Sequence, residues 1–268
     1  LSYLIQSERD NKKTALSEYN AKINSHQTNQ EHLIPKLHYR VSGISKKYLS
    51  KKNKPKIAIF REQGVNGHKE MANAFNLAGF DCYDVNTNDV IANPALLNEY
   101  HGLVACGGFS YGDVLGAGRG WANKIKYNHD ALNSLSKFFS DKNKFTLGVC
   151  NGCQMLSNLQ SIIPGSEHWP KFIKNNSNQF EARQVLVKIP KSNSMLFKDM
   201  HKSILPIIVS HGEGKISIKN KSSIKKVIMQ YVDITGKYTE EYPYNPNGSL
   251  NGVTGFCNND GRINIMMP

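Results

Sequence analysis

Phe145-Thr-Leu-Gly-Val-Cys-Asn-Gly-Cys-Gln154 is the stretch that decides the fold. Phe145–Val149 is short, apolar and without alternation, as in a strand buried on both faces of a parallel sheet. Gln154–Leu159 opens a helix. Cys150 stands at the junction, with Gly148 and Gly152 two residues away on either side. Gly-x-Cys-x-Gly is the cysteine counterpart of the Gly-x-Ser-x-Gly nucleophile elbow. A tight strand-to-helix turn drives such a side chain out of the sheet, and small flanking residues give it room. The helix N-terminus favours a thiolate there. The next backbone N–H, that of Asn151, is expected to point at an oxyanion formed on the sulfur's target.

Outward from this turn the chain alternates strands and helices. Lys56-Ile-Ala-Ile-Phe60 is a buried strand ending in the polar turn Arg61-Glu62-Gln63-Gly64. His68–Ala78 places Met71, Ala74, Phe75 and Ala78 at helical spacing, and Gly79 closes it. Phe80–Val85 and Gly102–Cys106 read as strands, and Trp121–Phe139 as one long helix. Alternation with short turns implies a parallel sheet with helices on both faces. After Phe180 the pattern changes. Ala182–Ile189, Ile204–Ser210, Gly214–Ile218, Ile228–Val232 and Arg262–Met267 read as strands, several joined by Gly, Asn or Asp turns. The expected fold is therefore α/β: an open mixed sheet with a parallel core and an antiparallel extension. Before residue 55 periodicity is weak. Ser7–Ile23 could form an amphipathic helix, and Asn24–Asn53 reads as loop and linker.

The 268 residues carry a net charge of +13. Residues 1–56 hold 12 Lys+Arg against 4 Asp+Glu, so +8 of it lies there. These lysines are scattered and lack interleaved aromatics, so they read as a solvated linker rather than a nucleic-acid or membrane patch. Neither a nucleic acid nor a membrane is expected as partner. No window approaches 18 consecutive apolar residues. The start, Leu-Ser-Tyr-Leu-Ile, lacks Met and the layout of a signal peptide, and both ends read as cut from something longer. Five cysteines make an odd count, which with no signal peptide points to a reducing cytoplasm. Cys82 and Cys106 lie in apolar runs and read as inert core residues.

In an open α/β sheet ligands bind beyond the carboxyl ends of the strands. A second glycine-rich segment ends there: Gly107-Gly-Phe-Ser-Tyr-Gly-Asp113, continuing to Gly116-Ala-Gly-Arg-Gly120. It is expected to bring the amides of Gly108 and Phe109 to the sulfur. A thioredoxin-like reading of Cys150-Asn-Gly-Cys153 leaves Gly148 and Gln154 unexplained, in a chain about twice such a domain's length. A zinc site would need a second Cys pair, and a phosphate loop would need Gly-Lys-Ser/Thr. No metal site is expected in this domain. His211 and Glu213, two apart in Ser210-His-Gly-Glu213, could share a face as base and orienter, or His211 could be a structural or substrate-lining histidine.

Five segments carry a resemblance. They are Lys56-Ile-Ala-Ile-Phe-Arg-Glu-Gln-Gly-Val-Asn-Gly-His68, Ala105-Cys-Gly-Gly-Phe-Ser-Tyr-Gly-Asp-Val-Leu-Gly-Ala-Gly118, Gly148-Val-Cys-Asn-Gly-Cys-Gln154, Ser210-His-Gly-Glu-Gly214 and Asn245-Pro-Asn-Gly-Ser249. Together they resemble the glutaminase domain of the large, single-chain phosphoribosylformylglycinamidine synthases, of the class I glutamine amidotransferases. The resemblance covers residues 55–268. Residues 1–54 would be the tail of the preceding synthetase domain and a linker, Gln6-Ser-Glu-Arg-Asp-Asn11 being similar to that tail.

The resemblance implies an enzyme, a carbon–nitrogen ligase with glutamine as amide donor, in purine biosynthesis. Cys150 would attack the amide carbon of L-glutamine, Gly108, Phe109 and Asn151 would hold the oxyanion, and Gln154 would fix the amino-acid end. Ammonia would pass to the synthetase domain of the same chain, where ATP and Mg²⁺ are expected; no cofactor is expected in this domain. The family's base and orienter lie in a His-Pro-Glu that follows Met-Met-Pro. Met266-Met267-Pro268 closes this sequence, so both are expected beyond it. His211 and Glu213 are then site-lining residues, and the stretch by itself should turn over almost no glutamine. Two rivals follow: a non-catalytic docking module in this truncated form, or another cysteine amidohydrolase.

Overall fold

The structure is a computed structural model and describes residues 2–9, 11–28, 35–40, 43–44, 46–112, 114–218 and 221–267. Asp113, Pro268 and parts of the Asn24–Asn53 linker lie outside the described residues. The strands are β1 (Lys56–Arg61), β2 (Asp81–Asn86), β3 (Gly102–Ala105), β4 (Phe145–Val149), β5 (Phe172–Ile173), β6 (Glu181–Lys188), β7 (Ile204–His211), β8 (Lys215–Ile216), β9 (Val227–Val232), β10 (Val253–Cys257) and β11 (Ile263–Met266). The helices are α1 (Ser2–Arg9), α2 (Lys12–Thr28), α3 (Lys46–Leu49), α4 (His68–Leu77), α5 (Thr87–Ala92), α6 (Ala117–Lys126), α7 (His129–Ser140) and α8 (Asn151–Asn158).

Among the described residues nine strands form one sheet in the order β2-β1-β3-β4-β11-β10-β9-β6-β7. β2, β1, β3, β4 and β11 run parallel. From β11 to β7 every pairing is antiparallel. This is the parallel core with an antiparallel extension that the residue pattern implies. β4 sits mid-sheet with Thr146, Leu147 and Gly148 buried, as its unalternating composition requires. Helices α4–α8 pack around the parallel half, whose core includes Phe60 and Trp121 with ring centroids 5.4 Å apart. A second cluster, with Val187, Val209 and Tyr231, fills the antiparallel half.

Four local readings are corrected. Trp121–Phe139 is two helices, because the Asn128 side chain accepts from the Ala131 amide at 2.9 Å and caps α7 anew. Gly214–Ile218 is reduced to the two-residue β8, paired with β5 outside the main sheet. β10, absent from the reading, lies buried between β9 and β11. Before residue 55 the described residues form three helices, α1, α2 and the four-residue α3, where the pattern gave one. α2 is tied to the sheet by Glu18, whose carboxylate lies 3.3 Å from Arg183 on β6.

Candidate active site

Cys150 takes φ 52° and ψ −112°, a conformation that L-residues rarely adopt. Hydrogen bonds on both sides enforce it. Its amide donates to Met266 O at 3.0 Å, extending the β4–β11 ladder, and its carbonyl accepts from Gln154 at 3.0 Å, starting α8. The adjacent glycines are needed for close approach. A Cβ on Gly152 would run into the Ala105 carbonyl, and one on Gly148 would come within 2.9 Å of Gly152 O. The thiol is thereby turned outward and half-buried, with Sγ 4.0 Å from Ser210 O. Cys153, one turn along, is fully buried, and burial pushes its thiol well above the ordinary range. Cys106 is likewise buried, its thiol pushed up to about 12 by desolvation.

The double-glycine turn lies beside this elbow. A Cβ on Gly107 would sit 3.2 Å from Cys150 Cβ and 3.9 Å from Sγ. Gly108 has φ 148° and packs so closely on Val65 and Asn66 that only glycine fits. The three amides expected at the oxyanion position differ in what they do. Phe109 N–H donates to Gly64 O at 3.1 Å and is engaged in the loop's own network. The amides of Gly108 and Asn151 have no acceptor among the described residues, that of Asn151 because it opens a helix. The buried Asn151 side chain accepts from Ser110 Oγ at 3.0 Å, fixing the start of α8 against the same loop.

These groups open into a cavity of about 580 Å³, lined also by Gln154, Ser210, His211 and Glu213. The Gln154 amide donates to Glu213 O at 2.9 Å, and the Glu213 carboxylate accepts from Gly116 N at 3.0 Å. Glu213 thus bridges α8 and the N-terminus of α6. His211 is 4 % exposed, its ring lying against Gly214, with neither ring nitrogen in a hydrogen bond among the described residues. Desolvation lowers its pKa to about 4, the nearby Met267 carbonyl pulling partly the other way, so the ring is neutral at pH 7. Buried asparagines hold this strand end from behind. Asn175 donates to His211 O at 2.8 Å and accepts from Gly214 N at 2.9 Å, and Asn247 donates to Gly214 O at 2.8 Å. That accounts for the Asn245–Ser249 motif.

Lys174, Asn178, Gln179 and Phe180 also line the cavity, on loops without periodicity that no motif marks, and so do Val114 and Leu115, which stand in the Ala105–Gly118 segment but are given no role of their own by it. Among the described residues no group of three or more His, Cys, Asp or Glu could hold a metal ion, and no helix is long and apolar enough to cross a membrane.

An elbow cysteine at the carboxyl end of a central parallel strand, beside a glycine loop, is the architecture of the class I glutamine amidotransferases, and this chain has that fold. Residues 54–268 match the family of CobB/CobQ-like glutamine amidotransferase domains, and the chain belongs to it. Among solved structures it is similar to PurLQS from Thermotoga maritima, at 21 % identity and a TM-score of 0.59, over 81 % of this chain and 87 % of that one. A glutamine amidotransferase from the same organism is also similar, at 15 % identity and a TM-score of 0.43, over 80 % and 75 % of the two chains.

Proposed function

We propose that this chain is the glutamine-hydrolysing part of a phosphoribosylformylglycinamidine synthase, with Cys150 as its nucleophile. The observation that carries the reading is the left-handed, outward-turned Cys150 between a parallel strand and a helix N-terminus, beside the Gly107-Gly108 turn. The five motif segments support the particular synthase, and the likeness to PurLQS supports the fold on which the reading rests.

In the reaction the Cys150 thiolate adds to the amide carbon of L-glutamine. The carbonyl oxygen takes the negative charge and is met by the Gly108 and Asn151 amides, each such donor contributing roughly 3 kcal/mol. The nitrogen gains a proton, the C–N bond breaks and ammonia leaves. Water then cleaves the glutamyl thioester, giving glutamate and the restored thiol. Gln154 and Glu213 hold the wall on which the amino-acid end rests. The base and its orienter are the His and Glu that the family carries after Met-Met-Pro. β11 delivers that point of the chain to the site, since Met266 O accepts from Cys150 N and Met267 lines the cavity. Ammonia is consumed by an ATP- and Mg²⁺-dependent synthetase domain of the same cytoplasmic protein.

The test is Cys150→Ala in the full-length protein, assayed for amidine formation with either glutamine or ammonium as nitrogen source. Glutamine-supported turnover should fall at least about 10³-fold with ammonium-supported turnover kept. Equal loss of both, or loss of neither, contradicts the reading.

A further inference from the structure

The turn after β1 carries a buried charge that the chemistry above does not use. Glu62 is 1 % exposed. Its Oε1 accepts from Lys124 Nζ on α6 at 3.0 Å and from the Gln63 amide at 2.9 Å, and Oε2 is buried with no hydrogen-bond partner among the described residues. Tyr111 stands beside it. Burial first, and the Glu62 carboxylate second, push the Tyr111 phenol up to about 12. The Tyr111 ring lies against Gly120 of α6, where a Cβ would come within 3.3 Å of Cε2. Glu62, Lys124 and Tyr111 therefore join the β1 turn, α6 and the glycine loop at one point.

From that point the β1 turn holds the glycine loop by backbone bonds. Gln63 O accepts from Tyr111 N at 3.1 Å, Gly64 O from Phe109 N at 3.1 Å, and Gly67 N donates to Gly107 O at 3.1 Å. Gly108 is pressed against Val65 and Asn66 of the same turn. Tyr111 has φ 55°, so the loop is held in a conformation its own residues disfavour. A carboxylate desolvated for packing alone would be costly, because removing its partner leaves an uncompensated charge.

The geometry points to Glu62, fixed by Lys124, as a positioning residue that sets where the Gly108 amide stands relative to Cys150. This rests on the glutaminase reading. Misplacement of about 1 Å at a reacting centre costs about 10²-fold in rate.

The test compares two reagents on Cys150 of the full-length protein, followed by mass mapping of the Cys150 peptide. A diazoketone analogue of glutamine must seat its carbonyl at the oxyanion position, whereas iodoacetamide needs only the thiolate. For Glu62→Gln the diazoketone rate should fall about ten-fold or more, with the iodoacetamide rate within about two-fold of the parent's. Glu99→Gln, which breaks the exposed Lys56–Glu99 pair, should change neither. If Glu62→Gln fails to fold, Glu62→Gln with Lys124→Met removes both charges at once and should show the same selective loss. Equal changes in the two rates, or none, overturn the positioning role. A parent protein whose Cys150 ignores the diazoketone while reacting with iodoacetamide overturns the glutaminase reading itself.

Discussion

Cys150 and His211 face one cavity but are set by opposite means. Cys150 is held by covalent geometry and backbone bonds in a disfavoured φ/ψ region, at a cost on the order of 1–3 kcal/mol that the β4–β11 ladder and α8 offset. The His211 backbone is held by β7 and by Asn175, but its ring is held by burial, and neither ring nitrogen has a hydrogen-bond partner among the described residues. Its pKa lies below that of the unfolded chain, so between pH 6.5 and about 4 the unfolded state binds the extra proton. The contribution of His211 should therefore be constant above pH 6.5 and be lost as pH drops towards 4, by about 3 kcal/mol. Urea midpoints of the parent and of His211→Phe test this: the variant should show the shallower decline, and parallel curves would refute it. Both residues were legible in the chain, Cys150 from the glycines at 148 and 152, His211 from its place at a strand end. The state of Phe109 was not, because its engagement with Gly64 depends on how two distant turns stack.

Elements were legible where hydrophobic pattern alone decides them. β1, β4, β7 and β9 are largely apolar runs, β6 is carried by its Val185–Val187 stretch, and each lies within two residues of its expected place. Pattern failed where a single side chain decides, as at Asn128, and where a strand is wholly buried with a mixed composition, as in Val253-Thr-Gly-Phe-Cys257. The docking of α2 was equally invisible, since Glu18 and Arg183 are 165 positions apart. At that contact burial pushes the Glu18 carboxyl up, but Lys22 and Arg183 together hold it below the usual carboxylate range. Arg183 also bonds Glu181 at 2.8 Å and Tyr242 at 2.5 Å, so it pins α2 to the strand end that carries the cavity's Gln179–Phe180 wall. Arg183→Met should weaken α2 docking by roughly 2 kcal/mol. Hydrogen exchange of the α2 amides should accelerate selectively, whereas unchanged protection would show that the contact contributes little.

At the scale of the molecule the site lies where the two halves of the sheet meet. The parallel half brings Cys150 and the glycine loop, the antiparallel half brings Ser210–Glu213, and β11 is the strand that pairs with both. Neither half encloses the cavity alone, so loops from three separate regions of the chain must fold together to form it. On the proposed function, this junction presents one sulfur to the amide of glutamine. Mass mapping of the full-length protein after reaction with 6-diazo-5-oxo-L-norleucine, with and without L-glutamine, tests this. A single adduct on Cys150, suppressed by L-glutamine, is the predicted result; an adduct on another residue, or one on Cys150 that L-glutamine leaves untouched, would contradict it.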